Sequence, residues 1–564
     1  MIVGIDLGTT NSLVSYFTEE GPKIIPNRLG DYLTPSVVSI DESDQIYVGA
    51  TAKERELLYP GTSASVFKRD MGSDRKFQLG NKTFSAEELS SFVIRSLCED
   101  AKAYLNEPIT EAVISVPAYF NDIRRKATKR AGELAGLKVD RIISEPTAAA
   151  VAYGLYQDRT NKKFLVFDLG GGTFDVSILE MFDSIIEVRA VAGDNFLGGE
   201  DFTNVLEHMF YEKNKQIKKE LLSDKAKRYI HKQMEACKII LSEKNSITKD
   251  FRVDDNEVSF HTDIDTYEKA CEELFEKIRI PIKRSLSDAN IRVRDIDKVV
   301  LIGGATKHPI IRKFVSKLFG VIPDTSINPD EAVVLGTAIQ GAMKERNQAI
   351  REVILTDVCP FTLGTEVVMT LGDNWIESGH FCPIIERNTT IPASRTERLY
   401  TVCDNQSEIR VNILQGESRY AANNLSLGEI LVKIPKAGKG EEAVDVTYTY
   451  DVNSILEVVV KVISTEKVIK QLIKGQDINM TDEEIDQRLK ELSYLKISPR
   501  DREENKLLLL RGEQLYEEAL STDRQLINRE LHDFEHALKT QDRDKIEEAR
   551  KKIKKFMDEY DNGL

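Results

Sequence analysis

The sequence predicts an α/β protein with two duplicated halves, followed by an all-β unit and a helical tail. Residues 3–10 and residues 165–173 share one sequence pattern, in which a short apolar run leads into Asp, Gly and Thr. Short β-rich runs separated by turn residues fill residues 358–464. From Thr481 onward, Leu and Ile recur at helical spacing among charged residues. These three patterns indicate three kinds of structural unit.

Length and charge limit the classes of protein that fit. The 564 residues correspond to about three or four domains at roughly 150 residues per domain. The net charge of −15 repels phosphate polymers and anionic membranes, so we expect neither nucleic acid nor a membrane as partner. The six cysteines form no CxxC pair, and the chain begins with an apolar strand rather than an export signal. We therefore expect a cytoplasmic protein with free thiols.

Each half begins with the same local pattern. An apolar run predicts a strand, the Gly and Thr residues predict a tight turn, and the alternating residues 12–17 and 174–179 predict a second strand. Residues 85–105 and 122–136 show helical spacing. The region up to about residue 345 is therefore predicted to be α/β. A brief apolar segment between charged neighbours, residues 352–357, separates it from the β-rich runs.

The two glycine turns predict a phosphate site. Glycine lets several backbone N–H groups converge and approach a ligand closely. Asp6 and Asp168 precede these turns and would repel phosphate, unless a magnesium ion lies between them and is held mainly through its waters. A third glycine pair, Gly303 and Gly304, again follows an apolar strand. A single such turn is also an ordinary β-turn, but two copies in matching contexts favour a nucleotide clamped between two halves.

Several longer motifs resemble the seventy-kilodalton heat-shock chaperones, the DnaK family, from residue 1 to about 464. Beside the Asp168 turn, these motifs are VPAYFN (116–121), EPTAAA (145–150), LGGEDF (197–202), NPDEAV (328–333) and NTTIP (388–392). The segments EVILTDVCP (352–360) and PIIERN (383–388) are similar to the HscC branch in particular. The resemblance implies an ATP-dependent chaperone whose affinity for exposed hydrophobic segments of unfolded proteins is controlled by ATP binding and hydrolysis.

The resemblance also implies an architecture. An actin-like α/β ATPase domain with duplicated ribonuclease-H-like lobes would occupy residues 1–350. A hydrophobic interdomain linker (351–357), a β-sandwich substrate-binding domain (358–465) and a short α-helical lid (466–564) would follow.

Residue roles are carried over from the family by position. The resemblance implies Mg²⁺ at Asp6 and Asp168 and potassium at Asp175, with catalysis by Lys68, Glu145, Asp168 and Thr173. ATP or ADP would contact Gly8, Thr9, Thr10, Asn11, Gly171, Gly172, Gly199, Glu235, Lys238, Ser242, Gly303, Gly304, Lys307 and Asp330. Taken alone, Glu235, Lys238 and Ser242 also fit a solvated helix face.

Two departures from the family pattern affect these roles. The family's Phe-x-x-Lys-Arg is compressed to Phe67-Lys68-Arg69, so Arg69 is an alternative to Lys68 as the cation that orients the attacking water. The family's Ser and Arg at the third glycine element are Ala305 and Lys307 here. Because lysine cannot stack on a base as a planar guanidinium does, we expect a weaker adenine contact than in a Lys307→Arg variant.

In the β unit, the resemblance implies a peptide groove. Its residues would be Leu363, Thr365, Val367, Val368, Leu399, Val402, Ile409 and Val411. From the residues alone, the same alternation also fits a sandwich core. Thr365 is polar where the family usually has isoleucine, so the central pocket is expected to accept different side chains.

Coupling between the two sites is expected at the linker. Burial of Val353, Ile354 and Leu355 against the ATPase lobes would stabilise the docked linker by at most about 5–9 kcal/mol. This is enough for docking of the linker to move the attached β unit as well. A plain linker entering a strand is the alternative interpretation. The resemblance adds Pro146 to the coupling residues and implies that Arg141 and Asp357 contact a J-domain co-chaperone.

Two other classes of function remain open at this stage. One is an actin-like or sugar-kinase-like phosphotransferase, and the other is a nucleotide-sensing regulator of one specific folded partner. The all-β unit and the helical tail weigh against the former.

Overall fold

The computed structural model describes residues 1–59, 61–154, 162–182, 185–253, 256–344, 354–371, 375–450, 456–473, 500–519, 521–539 and 543–563. None of the helices in these ranges is long and apolar enough to cross a membrane.

The first half is built on a mixed sheet with helices packed against it. Its strands are β1 (Ile2–Asp6), β2 (Asn11–Thr18), β3 (Gly21–Ile25), β4 (Thr34–Pro35), β5 (Val38–Ile40), β6 (Ile46–Val48), β7 (Ser63–Ala64), β8 (Phe77–Leu79), β9 (Lys82–Phe84), β10 (Glu111–Val116) and β11 (Lys138–Ser144). Its helices are α1 (Ala50–Leu58), α2 (Ala86–Leu105), α3 (Asp122–Leu134) and α4 (Glu145–Ala152). The main sheet has the order β11-β10-β1-β2-β3, with β4 beside β2.

The two helices predicted in this half are confirmed. Helix α2 begins where Ser85 accepts a hydrogen bond from the Glu88 backbone and Glu88 accepts one from the Ser85 backbone. This reciprocal cap satisfies N–H groups that have no partner inside the helix. Asn121 caps α3 in a similar way, through the backbone N–H of Arg124.

The second half repeats the topology of the first. Its strands are β12 (Lys162–Leu169), β13 (Phe174–Phe182), β14 (Ile185–Asp194), β15 (Ser246–Val253), β16 (Asn256–Asp263) and β17 (Lys298–Ile302). Its helices are α5 (Gly199–Lys213), α6 (Asp224–Ile240), α7 (Ile264–Ala270), α8 (Glu272–Asp288) and α9 (Pro309–Phe319). The next helix, α10 (Ala332–Lys344), packs on β1, β2 and α4 of the first half. Strand β1 pairs antiparallel with β2 and parallel with β10, and β12 pairs antiparallel with β13 and parallel with β17. The predicted strand–turn–strand duplication is therefore confirmed.

The β unit contains two four-stranded antiparallel sheets. Its strands are β18 (Ile354–Val358), β19 (Leu363–Leu371), β20 (Trp375–Ile385), β21 (Thr390–Ile391), β22 (Ala393–Tyr400), β23 (Glu408–Gln415), β24 (Leu425–Lys433), β25 (Ala443–Tyr450), β26 (Leu456–Val462) and β27 (Val468–Ile473). The sheet orders are β20-β19-β23-β24 and β22-β25-β26-β27. Apolar residues of both sheets share one buried cluster, as in a β-sandwich.

Two strands differ from the predicted domain boundaries. Strand β27 pairs with β26, so the sandwich continues beyond residue 465 into the range assigned to the lid. Strand β18 falls mostly inside the predicted linker and pairs parallel with β14, which adds it to the sheet of the second half. Of the linker, residues 351–353 lie outside the described ranges.

The tail contains α11 (Arg500–Glu518), α12 (Ser521–Lys539) and α13 (Arg543–Gly563). Leu508, Leu515, Ile527, Phe534 and Met557 form its small buried cluster. The helical prediction for the tail is confirmed over these ranges, and residues 481–499 of that prediction lie outside the described part of the chain. Helix α11 packs on α1 of the first half.

Candidate active site

The two predicted phosphate turns face each other across a cleft between the halves. A Cβ atom added to Gly171 would lie 2.4 Å from Thr10 Oγ1, and one added to Gly172 would lie 2.3 Å from Thr9 Cγ2. Only glycine permits this approach, because any larger residue would push the halves apart. The turns border a cavity of about 400 Å³. A cradle of this kind, between two backbone turns, suits a polyphosphate.

Most of the predicted nucleotide residues border this cavity. They are Asp6, Gly8, Thr9, Thr10, Asn11, Lys68, Glu145, Asp168, Gly171, Thr173, Gly199, Glu235, Lys238, Gly303, Gly304 and Asp330. Ser242 and Lys307 border a second cavity of about 320 Å³ instead. Among the predicted residues, Gly172 and Asp175 border neither cavity.

Buried carboxyl groups surround the base of the cleft. Burial, with the nearby charge of Glu145, raises the pKa of Asp6 to about 7 and that of Asp175 to about 8. Burial also raises the pKa of Asp168. Lys68 Nζ donates to Glu145 Oε1 at 2.9 Å, and both side chains are buried. One ammonium group cannot balance four ionised acidic side chains, which is why their charged forms are disfavoured, and a further cation would favour the charged forms and bind to them.

The acidic residues fit a magnesium ion held mostly by other ligands. The Oδ2 atoms of Asp168 and Asp175 are buried and have no hydrogen-bond partner among the described residues. Within the same part of the chain, no three His, Cys, Asp or Glu side chains converge as a ready-made metal site. Mg²⁺ commonly binds one or two carboxylates and completes its shell with water and phosphate oxygens. Asp6 and Asp168 are therefore suited to hold such an ion beside a nucleotide.

The two candidate cations of the first half take different directions. Lys68 borders the cavity beside the carboxyl groups, as its predicted role requires. Arg69 turns to the second half, where its Nε donates to the Gly172 carbonyl at 2.8 Å. Of these two cations, Lys68 therefore borders the cavity and Arg69 does not.

The second cavity adjoins the first through shared residues, among them Gly199, Lys238 and Gly304. Its wall includes Phe202 and Tyr267, so it is suited to a flat, largely apolar ring. Lys238 Nζ donates to the Gly199 carbonyl at 2.8 Å and to Thr203 Oγ1 at 2.6 Å. Lys307 forms an ion pair with Asp330, and Ser242 Oγ donates to the Lys238 carbonyl at 3.3 Å.

The sequence analysis missed His231, which also borders the larger cavity. Its Nε2 lies 2.8 Å from Glu200 Oε1 and its Nδ1 lies 3.0 Å from Glu207 Oε2. Burial opposes the charge of the ring, yet the hydrogen bonds to both glutamates raise the pKa of His231 to about 10. The charged form of His231 is therefore favoured at neutral pH, because Glu200 and Glu207 on α5 both accept its hydrogen bonds.

The predicted peptide-groove residues divide into two groups. Leu363, Thr365, Ile409 and Val411 are buried in the sandwich. Leu399 packs against that core, Val367 and Val368 are half-buried, and Val402 is 37% exposed. The buried group occupies the neighbouring strands β19 and β23, so the alternative interpretation as core fits these four side chains. The hydroxyl of Thr365 has no hydrogen-bond partner among the described residues.

Three of the predicted coupling residues, Ile354, Leu355 and Asp357, lie on strand β18. Ile354 and Leu355 pair with Ile185 and Ile186 of β14, whereas Val353 lies outside the described residues. Pro146 is buried in the first turn of α4, directly after Glu145. Burial lowers the pKa of Arg141, and the nearby negative charge of Asp357 opposes this, so these two residues, each expected to contact a co-chaperone, lie near each other.

Further contacts at this interface were not predicted. Arg387 Nε and Nη2 donate to the two Asp288 carboxylate oxygens at 2.8 and 2.9 Å, and Asn388 Nδ2 donates to the same carboxylate at 2.9 Å. The rings of Tyr119 and Phe361 lie 4.5 Å apart. The sequence signal for Arg387 and Asn388 was their place in the family-like segment 383–392.

Comparisons with known proteins show the family of the chain. The model of the family described as Hsp70 protein matches residues 2–563. The chaperone protein DnaK of Thermotoga neapolitana is 41% identical over 497 residues, which cover 86% of this chain and 82% of the relative. The DnaK proteins of Thermotoga petrophila and Thermotoga maritima are each 40% identical over 520 residues, covering 88% of this chain and 86% of the relative. The chain therefore belongs to the Hsp70 family.

Proposed function

We propose that the cleft between the two halves hydrolyses ATP and thereby sets the affinity of the β-sandwich for exposed hydrophobic segments of unfolded polypeptides. Membership in the Hsp70 family makes the chain an ATP-dependent molecular chaperone with ATPase activity, and it does not favour the phosphotransferase or the single-partner regulator. The observation that carries the coupling is the pairing of the linker strand β18 with β14 of the ATPase sheet.

The phosphates would rest on the opposed backbone turns. In this arrangement Thr9, Thr10 and Gly171 receive the phosphate oxygens, and Thr173 lies beside the terminal phosphate. Mg²⁺, held through Asp6 and Asp168, would neutralise charge on the phosphates, and Asp175 would hold a potassium ion. The shared cavity supports this placement, because a ligand in the cavity that both turns border would touch both halves at once.

The attacking water would be held by Lys68 and Glu145. Their 2.9 Å hydrogen bond places an ammonium donor beside a carboxylate acceptor at the edge of the cavity. A water molecule that donates to Glu145 and accepts from Lys68 would keep one lone pair for attack on the terminal phosphorus. Hydrolysis of the terminal phosphoanhydride bond, which releases ADP and phosphate, needs positioning and charge neutralisation more than covalent help, so these groups would suffice.

The adenosine would extend into the second cavity. Lys238 borders both cavities and Glu235 borders the larger one, and both are suited to the ribose hydroxyl groups. Ser242, Gly304 and Lys307 border the second cavity and would lie beside the base. Because Lys307 is engaged by Asp330, its stem rather than its charge would cover the ring, in keeping with the weak base contact expected from the sequence.

Nucleotide state would reach the β-sandwich through one continuous sheet. Strand β18 pairs with β14, β14 pairs with β13, and β13 pairs with β12, which ends at the Asp168 turn. A shift of this turn on hydrolysis therefore moves the strand to which the sandwich is joined. Asp288 and Tyr119 hold the sandwich against the halves while β18 stays paired. Strand β18, either paired with β14 or released from it, would be the two-state element that coupling needs.

The peptide would bind in the sandwich, at the groove residues of β19, β22 and β23. The half-buried Val367 and Val368 and the exposed Val402 would contact it first. Opening of the sandwich would then uncover the buried Leu363, Thr365, Ile409 and Val411. An extended peptide offers backbone hydrogen bonds and alternating side chains, which such a groove accepts without a strict sequence.

Three further features belong to this proposal. Arg141 and Asp357, which lie close together, would form the contact with a J-domain co-chaperone. The protein would act in the cytoplasm, and helices α11–α13 would serve as the lid. The HscC branch stays a prediction that rests on residues 352–360 and 383–388.

The test is steady-state ATP hydrolysis with and without an unfolded peptide. We expect the peptide to stimulate the native chain, and we expect a Thr173→Ala variant to lose most activity in both conditions. Stimulation by a sugar would instead support a phosphotransferase, and ATP-dependent light scattering would indicate filaments. Hydrolysis that is insensitive to the peptide would refute the coupling.

A further inference from the structure

The 3-10 turn that follows Val66 directs two neighbouring cationic side chains, Lys68 and Arg69, to different halves of the protein. Val66 has φ 57° and ψ 14°, in the left-handed region that a β-branched residue rarely adopts, and it begins the 3-10 turn Phe67–Asp70. From this turn Lys68 reaches Glu145 within the first half, whereas Arg69 reaches the second half. Strained backbone of this kind clusters at functional sites, where the surrounding contacts hold it in place.

The guanidinium of Arg69 joins two separate parts of the second half. Its Nε donates to the Gly172 carbonyl at 2.8 Å, and its Nη2 donates to Asp201 Oδ2 at 2.8 Å. The same Asp201 oxygen accepts the backbone N–H of Gly198 at 2.8 Å, just before α5. A Cβ atom at Gly172 would lie 2.9 Å from Arg69 Nε, so the guanidinium lies directly against the phosphate turn.

We propose that Arg69 is a positioning residue that holds the two halves together around the bound nucleotide and so sets the rate of ADP release. Release requires the halves to separate, and separation breaks both hydrogen bonds of Arg69. This role rests on the phosphate site proposed above, but it is distinct from the chemistry assigned to Lys68. Arginine suits this role because its planar guanidinium group donates to two separate acceptors at once, whereas a lysine ammonium is a single point of charge.

A catalytic role for Arg69 is the competing interpretation. Its Nε and Nη2 donate to the Gly172 carbonyl and to Asp201, and the residue does not border the phosphate cavity. A group already bonded to a carbonyl and a carboxylate has little need of a phosphate ligand. The geometry therefore favours an effect on release over an effect on the chemical step.

The experiment measures release of a fluorescent ADP from the full-length chain in the presence of Mg²⁺, by stopped flow with excess ATP. Loss of a charged hydrogen bond corresponds to about a tenfold change, so Arg69→Gln should release ADP about tenfold faster. Asp201→Asn should accelerate release several-fold, and Arg69→Lys should lie between Arg69→Gln and the native chain. The double variant Arg69→Gln/Asp201→Asn should be no faster than Arg69→Gln, because both changes remove the same bond.

A matched control is Arg75→Gln. Arg75 is an exposed arginine that pairs with Asp70 inside the first half, at 2.9 Å, and we expect this variant to release ADP at the native rate. Thermal unfolding of each variant shows whether it is folded, and Arg69→Lys serves if Arg69→Gln does not fold.

Three results would overturn the proposal. The first is release from Arg69→Gln and Asp201→Asn within twofold of the native rate. The second is a double variant whose two effects multiply, which would mean that the residues act independently. The third is a loss of single-turnover hydrolysis in Arg69→Gln alone with unchanged ADP release, which would make Arg69 catalytic. A native chain that does not bind the fluorescent ADP would refute the nucleotide site itself.

Discussion

Replacement of Asp288 by alanine should detach the β-sandwich from the ATPase halves. This carboxylate receives two hydrogen bonds from Arg387 and one from Asn388, and it is 85% covered whereas Arg387 is about two-thirds covered. Charged hydrogen bonds are worth up to about 1.5–3 kcal/mol each when buried and less than about 1 kcal/mol when exposed. We expect a loss of about 2–3 kcal/mol for the cluster, or a factor of roughly 30–150 between docked and undocked forms.

Hydrogen–deuterium exchange of the backbone amides of residues 354–356 measures this equilibrium, because this part of β18 pairs with β14, whereas Asp357 and Val358 pair with β21 inside the β unit. In the presence of ATP, Asp288→Ala should accelerate their exchange by the same factor of roughly 30–150. Helix α8 should not unravel, since an acidic residue at a helix C-terminus opposes the helix dipole and its removal is tolerated.

The control is Asp295→Ala, which removes an ion pair with Arg292 inside the second half at 3.1 Å. Exchange in β18 should then stay native. If Asp288→Ala left exchange in β18 within twofold of the native chain, the ion cluster would not hold the sandwich, and the reasoning from its geometry would be refuted.

Three further changes have defined outcomes. Lys68→Met should lower single-turnover hydrolysis by about 100-fold or more while calorimetry still detects nucleotide binding, and hydrolysis at the native rate would exclude its proposed role. The pKa of His231 is raised from 6.5 to about 10, so its stabilisation is complete below pH 6.5 and is lost as the pH rises through 10. Urea unfolding should therefore show a stability difference between the native chain and His231→Gln that shrinks from pH 7 to pH 10, and a constant difference would contradict the ion pairing. Thr365→Val should raise the unfolding free energy by about 1 kcal/mol, because it removes a buried hydroxyl without a partner; a lower melting temperature would contradict this.

The duplicated phosphate turns were predictable because the residues of a backbone cradle are contiguous in sequence. Asp6, Gly8 and Thr10, and their counterparts after β12, show the pattern directly. The strand–turn–strand hairpins and helices α2 and α3 were predictable for the same local reason: alternation, caps and helical spacing act over a few residues.

Long-range partners were not predictable in this way. Asp288 and Arg387 are 99 residues apart in sequence, and nothing in either segment indicates the other. The direction of Arg69 depends on the backbone of Val66, which composition does not reveal. Strand β27 was missed because its alternation lies next to charged residues typical of the tail.

The most direct test of the whole account is the dissociation of a labelled, extended apolar peptide from the intact chain, followed by fluorescence anisotropy with ATP or with ADP. If β18 transmits nucleotide state from the cleft to the sandwich, ATP should accelerate dissociation by about tenfold or more, equivalent to about 1.4 kcal/mol of coupling. Equal dissociation rates with the two nucleotides would contradict it.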